Sequence, residues 1–544
     1  FGLGNIDQVD SLSILWPNGQ LQWVKNIPVD TLLSFAFTAD SEESIVSRDQ
    51  IKTSKPWFNQ LPSPFLAHKE NEFIDFYYEP NIPFKYSRQG PALAIGDIDG
   101  DGHEDIFMGG AKGQVGQLYL YDESIGNFTL KPEKAFERFI AFEDVAATFF
   151  DADDDGDRDL IVLSGGNESL PSELEILPRL FFNDGKGNFT IGKFPKTTSN
   201  LSIALPIDVD ADGDLDLFLG GGNVTRAFGQ APESYLMLNQ KGVFTKANAE
   251  TMEKLQFIGN VQDAVWEDLD KDGKNELLVL GHWFAPTLFK FEAGKFELQT
   301  NKIFENKKGW YNAVTADDID HDGDMDLLFG NLGSNFNLIP DAQHPVKLFV
   351  SDFDDNGSQD NVLTKTIDGK DKPVFLKREV TSQLTFLKKE NLQHSSFAEK
   401  SIQELISKEK INKSIVKELN EPRSFAAIND GKGGFTIVYF DAMAQWSCIN
   451  DFLVNDFDGD GKKEILTVGN FHHFSSNFTK LDGNSGLIMK YNGKSFSGQT
   501  TAKFGYHYQG EARKLALVKH KEHPVVITAI NNDVALIHKT NLYE

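Results

Sequence analysis

The chain has 544 residues, 40% of them hydrophobic, enough to bury a sizeable core in one large domain or in two to three smaller ones. Its formal net charge of −28 argues against nucleic acid and anionic lipid as partners, because both are held by Lys and Arg. One cysteine, Cys448, excludes an internal disulfide framework and a Cys-rich zinc site, and no apolar run of about 18 residues marks a transmembrane segment. Phe, at 45 residues, favours sheet over helix.

In chain order, the first residue is Phe1 with no visible leader, which reads as a fragment or a processed product. SLSILWPNGQLQWVKN (11–26) predicts a hairpin turned at Pro-Asn-Gly, and TLLSFAF (31–37) a further strand. Residues 1–45 are thus expected to form a small β unit, and 46–71 a linker containing SKPWFNQLPSPF. From 72 to 544 the chain repeats itself. The pattern D-x-D-x-D-G-x-x-D starts at Asp97, Asp151, Asp208, Asp268, Asp318, Asp352 and Asp456, with variation at single positions. A short apolar strand precedes most copies and another follows each (DIFMGG, DLIVLSGG, ELLVLGH, EILTVGN). A third strand (QLYLYD, RLFFND, TLFKFE, LIMKYN) and a fourth (NFTL, NFTI, KFEL, SFSG) come next. Four short strands per unit predict a β-propeller blade.

The first five copies are spaced by 54, 57, 60 and 50 residues; the next steps are 34 and 104. Residues 331–423 are therefore expected as an insertion. It begins with a hairpin around DFDDNGSQD, continues as a Lys/Glu-rich helical stretch at about 379–420, and ends where the interrupted blade resumes with SFAAINDGKGGFTIV. The last repeat, ARKLALVKHKEHPVVITAINNDVALIHK, has three strands and a first turn without acids, and EFIDFYY (72–78) is expected to supply the strand that closes the ring. The fold class is all-β, a seven-bladed propeller, with eight blades the alternative if the Asp352 unit is a blade of its own.

The crowded acids call for a cation. Positions 1, 3 and 5 of each copy can point oxygens at one centre, position 7 offers a carbonyl, position 9 a carboxylate, and the Gly at position 6 permits a sharp turn. The candidate metal ligands are Asp97, Asp99, Asp101 and Asp105; Asp151, Asp153, Asp155 and Asp159; Asp208, Asp210, Asp212 and Asp216; Asp268, Asp270, Asp272 and Glu276; Asp318, Asp320, Asp322 and Asp326; Asp352, Asp354, Asn356 and Asp360; and Asp456, Asp458, Asp460 and Glu464. Oxygen-only ligation suits Ca²⁺, up to seven ions, whereas Mg²⁺ keeps more water. An EF-hand is excluded, because its last acid stands at position 12 and helices flank it. Plain Asp/Gly turns are the bland alternative. Asn356 removes one charge, so its loop is expected to bind more weakly.

These units resemble FG-GAP (VCBS) repeats, the calcium-loop blades of integrin α-subunit propellers and of many bacterial surface proteins, over roughly residues 64–544. FGLGNIDQVDSLSILWPNGQLQWVKNIP is similar to the ASPIC/UnbV module, starting inside its pattern. With SRQGPALAIGDIDGDGHEDIFMGGAKGQ and the insertion, the whole resembles the large ASPIC/UnbV–FG-GAP proteins of Bacteroidota. That resemblance implies an extracytoplasmic place, secreted or at the outer membrane of a Gram-negative bacterium, a lipoprotein anchor outside this sequence, and a protein partner such as a SusC/SusD-type transporter or its lipoprotein.

The turns after the second strands share the propeller face opposite the acid loops. They carry Asn167, Glu168, Asn223, Arg226, His282, Trp283, Asn331, Asn335, His472, His473 and Asn532, a mixture suited to a glycan, peptide or protein surface. Glycine packing near a crowded axis accounts for the same turns without a ligand. A binding or scaffold role is the leading expectation. A glycan lyase or hydrolase is the second, and it requires His282, His472 and Glu168 within hydrogen-bonding range of one another; a structural spacer is the third. No catalytic residue is assigned.

Overall fold

The structure, a computed structural model, describes residues 6–16, 21–36, 56–170, 172–519 and 524–541. The chain divides into two compact units, Phe1–Pro56 and Trp57–Glu544. In the first, Gln8–Leu15 and Leu21–Pro28 form the expected antiparallel hairpin, with Leu12 opposite Val24. Its Pro-Asn-Gly turn and Phe37 lie outside the described residues. Residues 31–36 form no strand, contrary to the reading of TLLSFAF. A strand needs a ladder partner, and among the described residues Gln8–Leu15 and Leu21–Pro28 pair only with each other.

In Trp57–Glu544, seven four-stranded antiparallel sheets share one plan. Their first strands are Leu93–Gly96, Asp144–Phe150, Asn200–Ile207, Asn260–Glu267, Ala313–Asp317, Ile449–Asn455 and Glu511–Val518. Each packs against the first strand of the next sheet, and Glu511–Val518 packs back on Leu93–Gly96, so the series returns on itself as in a β-propeller. The second strands explain the hydrophobic patterning. Behind their opening acid, DIFM, DLIVLS, ELLVLGH and EILTVG are mostly apolar with no polar alternation, and every residue in them is buried, because sheets cover both faces. The fourth strands Thr190–Ile191 and Thr245–Lys246 are exposed at the outer edge.

Five first strands carry a bulge, at Val145, Ser202, Gln262, Asn450 and Arg513. Those residues, with Gln89, Pro91, Asn312 and Lys514, line a cavity of about 80 Å³. The bulge also accounts for glycine at the end of the second strand. A Cβ at Gly281 would lie 1.9 Å from the Asn260 carbonyl oxygen, and one at Gly469 would lie 1.8 Å from that of Cys448.

One connection differs from the sequence reading. The last sheet is completed by Phe58–Leu61, which pairs with Leu536–Thr540, not by residues 72–78. Phe58 is buried against Phe457 and Tyr506 and gives this short polar strand its hold, while EFIDFYY contains a single 3₁₀ turn at Asp75–Tyr77. The chain leaves the repeat after Gly330 and returns at Phe425–Asn429, which pairs onto Asp326–Gly330, and at Phe435–Tyr439, which pairs onto Phe425–Asn429. Between them Lys370–Pro373, Asp360–Ile367, Val346–Ser351 and Ile415–Leu419 form an eighth sheet in that spatial order. The stretch expected as helical over 379–420 is broken into five short helices from Lys377–Gln383 to Lys408–Lys413, and it ends in the strand Ile415–Leu419. Ser401 and Ser407 stand in extended conformation as N-caps and restart the helix each time. Among the described residues no helix is long and apolar enough to cross a membrane.

Candidate functional site

All seven acid loops have one backbone conformation. Position 4 is left-handed in each, whether Gly100, Asp154, Ala211, Lys271, His321, Asp355 or Gly459, with φ between 56° and 76°. The position-6 glycines lie further out, with φ between 83° and 97°, beyond the range of the side-chain-bearing residues at position 4, which favours glycine there. The turn lets the position-6 N–H donate to the position-1 carboxylate in every copy, from Gly357 to Asp352 at 2.8 Å to Gly213 to Asp208 at 3.3 Å. Position 5 accepts from the N–H of position 7, as Asp101 does from His103 at 2.8 Å and Asn356 from Ser358 at 2.7 Å. Position 9 opens the second strand, is buried in all seven copies, and accepts from the N–H of position 2.

This scaffold gathers like charge. In the loops at Asp97, Asp151, Asp208 and Asp268, positions 1, 3 and 9 each offer an oxygen within 4.8 Å of the others, and in the loop at Asp456 position 5 joins them. Burial, reinforced by Asp99 and Asp101, pushes Asp105 up to about 7. Burial and neighbouring carboxylates likewise push Asp159 up to about 7, and Asp216 and Asp326 up to about 6. Asp153 Oδ1, Asp208 Oδ1 and Asp354 Oδ1 are buried and make no hydrogen bond. Convergent oxygens with unused lone pairs are the donor set a hard divalent cation takes.

Two loops differ at their centres. Lys290 Nζ lies 2.7 Å from Asp270, 2.7 Å from Asp272 and 3.0 Å from Glu276. Lys490 Nζ lies 2.6 Å from Asp458, 3.2 Å from Asp460 and 2.7 Å from Glu464. Burial opposes charge on both lysines, but these carboxylates hold their pKa above the usual range. Other lysines touch only the flanks of loops, as Lys410 does at Asp355 and Lys271 at Asp324.

The face opposite the loops is covered by the chain itself. Residues 82–86 and the insertion share one apolar core with the turns after the second strands, including Phe84, Phe228, Trp283, Trp310, Phe375 and Phe397. The insertion therefore packs onto this face. Phe84 meets Tyr86, Phe228, His282 and Trp310 edge-on, with centroids 5.2–5.5 Å apart.

Most of the expected ligand-face residues are engaged in this closure. Asn167 is fully buried and donates to Asp75 at 3.1 Å and Glu79 at 2.7 Å. Glu168 accepts from Asn71, and the Arg226 guanidinium lies 4.2 Å from the Tyr78 ring. Asn223 donates to the Gly166 carbonyl, Asn331 to that of Glu421 and Asn335 to that of Trp446. Trp283 packs edge-on to Trp310 at 5.0 Å, and Asn532 accepts from the Glu70 N–H. His282 pairs with Asn312, His472 with Asp482 and His473 with Glu511. His282, His472 and Glu168 thus take separate partners. Asp75 and Glu79, which anchor the covering segment, went unrecognised in the sequence; an acid set among aromatics in EFIDFYYE was the available signal.

A returning series of four-stranded sheets with nine-residue acid loops defines a β-propeller of repeat origin. The chain carries FG-GAP-like repeats: that family matches residues 97–162, 151–219 and 268–329, and the ASPIC and UnbV family matches residues 1–42. No curated protein matches the chain. Similar solved structures include YCF48 from Cyanidioschyzon merolae, at 10% identity and TM-score 0.39 over 84% of this chain and 99% of that one. BBS1N, solved in complex with ARL6DN, has 9% identity and TM-score 0.38 over 88% and 98%. The N-terminal domain of Nup159 has 11% identity and TM-score 0.36 over 90% and 99%.

Proposed function

We propose that this protein is a calcium-stabilised, seven-bladed propeller acting as a binding or scaffold subunit outside the cytoplasm. The repeated loop carries the reading. Seven copies of one backbone bring buried acids to the same junction, and the 28 motif positions hold 27 acids, close to the whole formal charge of −28. A divalent ion in such a loop removes repulsion that the folded state otherwise bears. Loop sites of this kind have affinities of about 10⁻⁴–10⁻³ M in extracellular modules, which matches calcium outside the cell. Residues at positions 1, 3, 5 and 9 would hold the ion, with the position-7 carbonyl completing the set.

Binding is favoured over catalysis by the covered face. Its polar residues are occupied within the chain. Recognition then falls to outer surfaces, with the insertion as the docking element for a protein partner. A place at the outer membrane of a Gram-negative bacterium, beside a SusC/SusD-type transporter, is the setting we propose. Affinity capture from native membranes, in calcium and in chelator, tests it. A transporter subunit recovered only in calcium supports the reading, and absence of any membrane protein in both conditions refutes it.

A further inference from the structure

We infer that the loops at Asp268 and Asp456 bind no calcium, because a lysine ammonium from the third strand is their built-in counter-ion. This rests on the calcium reading of the other five loops.

Four observations converge on these two copies. First, the ammonium of Lys290 lies within 3.0 Å of three carboxylates of its loop, two of them motif positions 3 and 5 and the third position 9. Lys490 repeats this arrangement within 3.2 Å. A cation with three carboxylates occupies the space and charge that Ca²⁺ would take. Second, the lysine is placed by the sheet. Glu276 pairs directly with Lys290, and Glu464 with Lys490. Continuing the register of the other sheets puts Leu120 opposite Asp105, Phe182 opposite Asp159, Leu238 opposite Asp216 and Ile428 opposite Asp326. Among these six blades a lysine stands opposite position 9 where that position is Glu, whose extra methylene reaches toward the ammonium, and not where it is Asp.

Third, the second carboxylate oxygen is used differently. Asp105, Asp159, Asp216 and Asp326 accept a further backbone N–H, from Tyr121, Asn183, Asn239 and Asn429. In Glu276 and Glu464 that oxygen faces the lysine instead. Fourth, most of the local charge is already offset. DLDKDGKNE and DFDGDGKKE each hold four acids and two lysines, with Lys290 or Lys490 as a third, whereas DVDADGDLD holds five acids and no base. With a common backbone, these side chains alone separate lysine-filled loops from ion-filled ones.

The test is the number of Ca²⁺ ions bound by the full-length chain in equilibrium dialysis, for wild type, Lys290→Met, Lys490→Met and the double variant. The expected count rises by one for each lysine removed, from five to seven, while Lys290→Arg leaves it unchanged. A count that stays the same in both Met variants while the wild type binds seven overturns the inference. A wild type that binds none defeats the calcium reading itself. Melting in EDTA then decides the lysines separately. A fall in melting temperature for the Met variants but not for Lys290→Arg sustains the counter-ion role, and unchanged melting overturns it.

Discussion

Asp75 is the acid on which closure of the covered face depends, and its replacement has a calculable effect. Its carboxylate is fully buried and accepts from the Tyr86 N–H at 2.8 Å, the Ser87 N–H at 3.2 Å, Asn167 Nδ2 at 3.1 Å and the Ser87 hydroxyl. Asp75→Ala strands four donors away from water. At about 1 kcal/mol each, the low end for an unsatisfied buried group, the segment loses about 4 kcal/mol against local opening. That is roughly a thousandfold in the opening equilibrium, which native-state hydrogen exchange reads directly. Peptides covering residues 74–87 should exchange roughly a thousandfold faster in the variant, while those of the second strands keep their protection. A change of less than about tenfold would refute the assignment of Asp75 as the anchor.

Gly281→Ala and Gly469→Ala should each lower the melting temperature by several degrees in scanning calorimetry, since their Cβ atoms would fall 1.9 and 1.8 Å from carbonyl oxygens and the bulge must shift. His538 is buried beside the Tyr506 ring, its ring nitrogens make no hydrogen bond, and burial lowers its pKa to about 4. A histidine lowered from about 6.5 contributes stability that is full above that value and lost as pH falls through about 4, roughly 3 kcal/mol in all. In denaturant titrations, His538→Leu should therefore flatten the loss of stability between pH 6.5 and 4, and an unchanged slope would contradict it.

The repeat was legible because its signals are local. Acid spacing, the position-6 glycine and the apolar second strand sit within a dozen residues of one another, so DVDADGDLDLFLGGG announces its loop, its turn and its buried strand together. What escaped the sequence depends on partners far along the chain. Phe58–Leu61 is too short and polar to stand out, and only its ladder with Leu536–Thr540 makes it a strand. EFIDFYY has the aromatic and β-branched content of a strand, yet Asp75 serves contacts to residues such as Asn167, 92 positions away. Asn167, Asn223 and Asn331 looked like ligand groups because exposure of a turn cannot be read from its residues alone. Lys290 and Lys490 were visible in TLFKFE and LIMKYN, but their meaning needed the register that sets them opposite Glu276 and Glu464.

Calcium as the ion that holds the ring of sheets together is tested most directly by thermal unfolding of the full chain in 2 mM Ca²⁺ and in EDTA. With dissociation constants of about 10⁻⁴ M, each filled loop stabilises the native state by about 2 kcal/mol, and five by roughly 9 kcal/mol. A melting temperature about 10 °C lower in EDTA, restored by Ca²⁺ but not by the same concentration of Mg²⁺, is the expected result. Identical melting in the two solutions would contradict it.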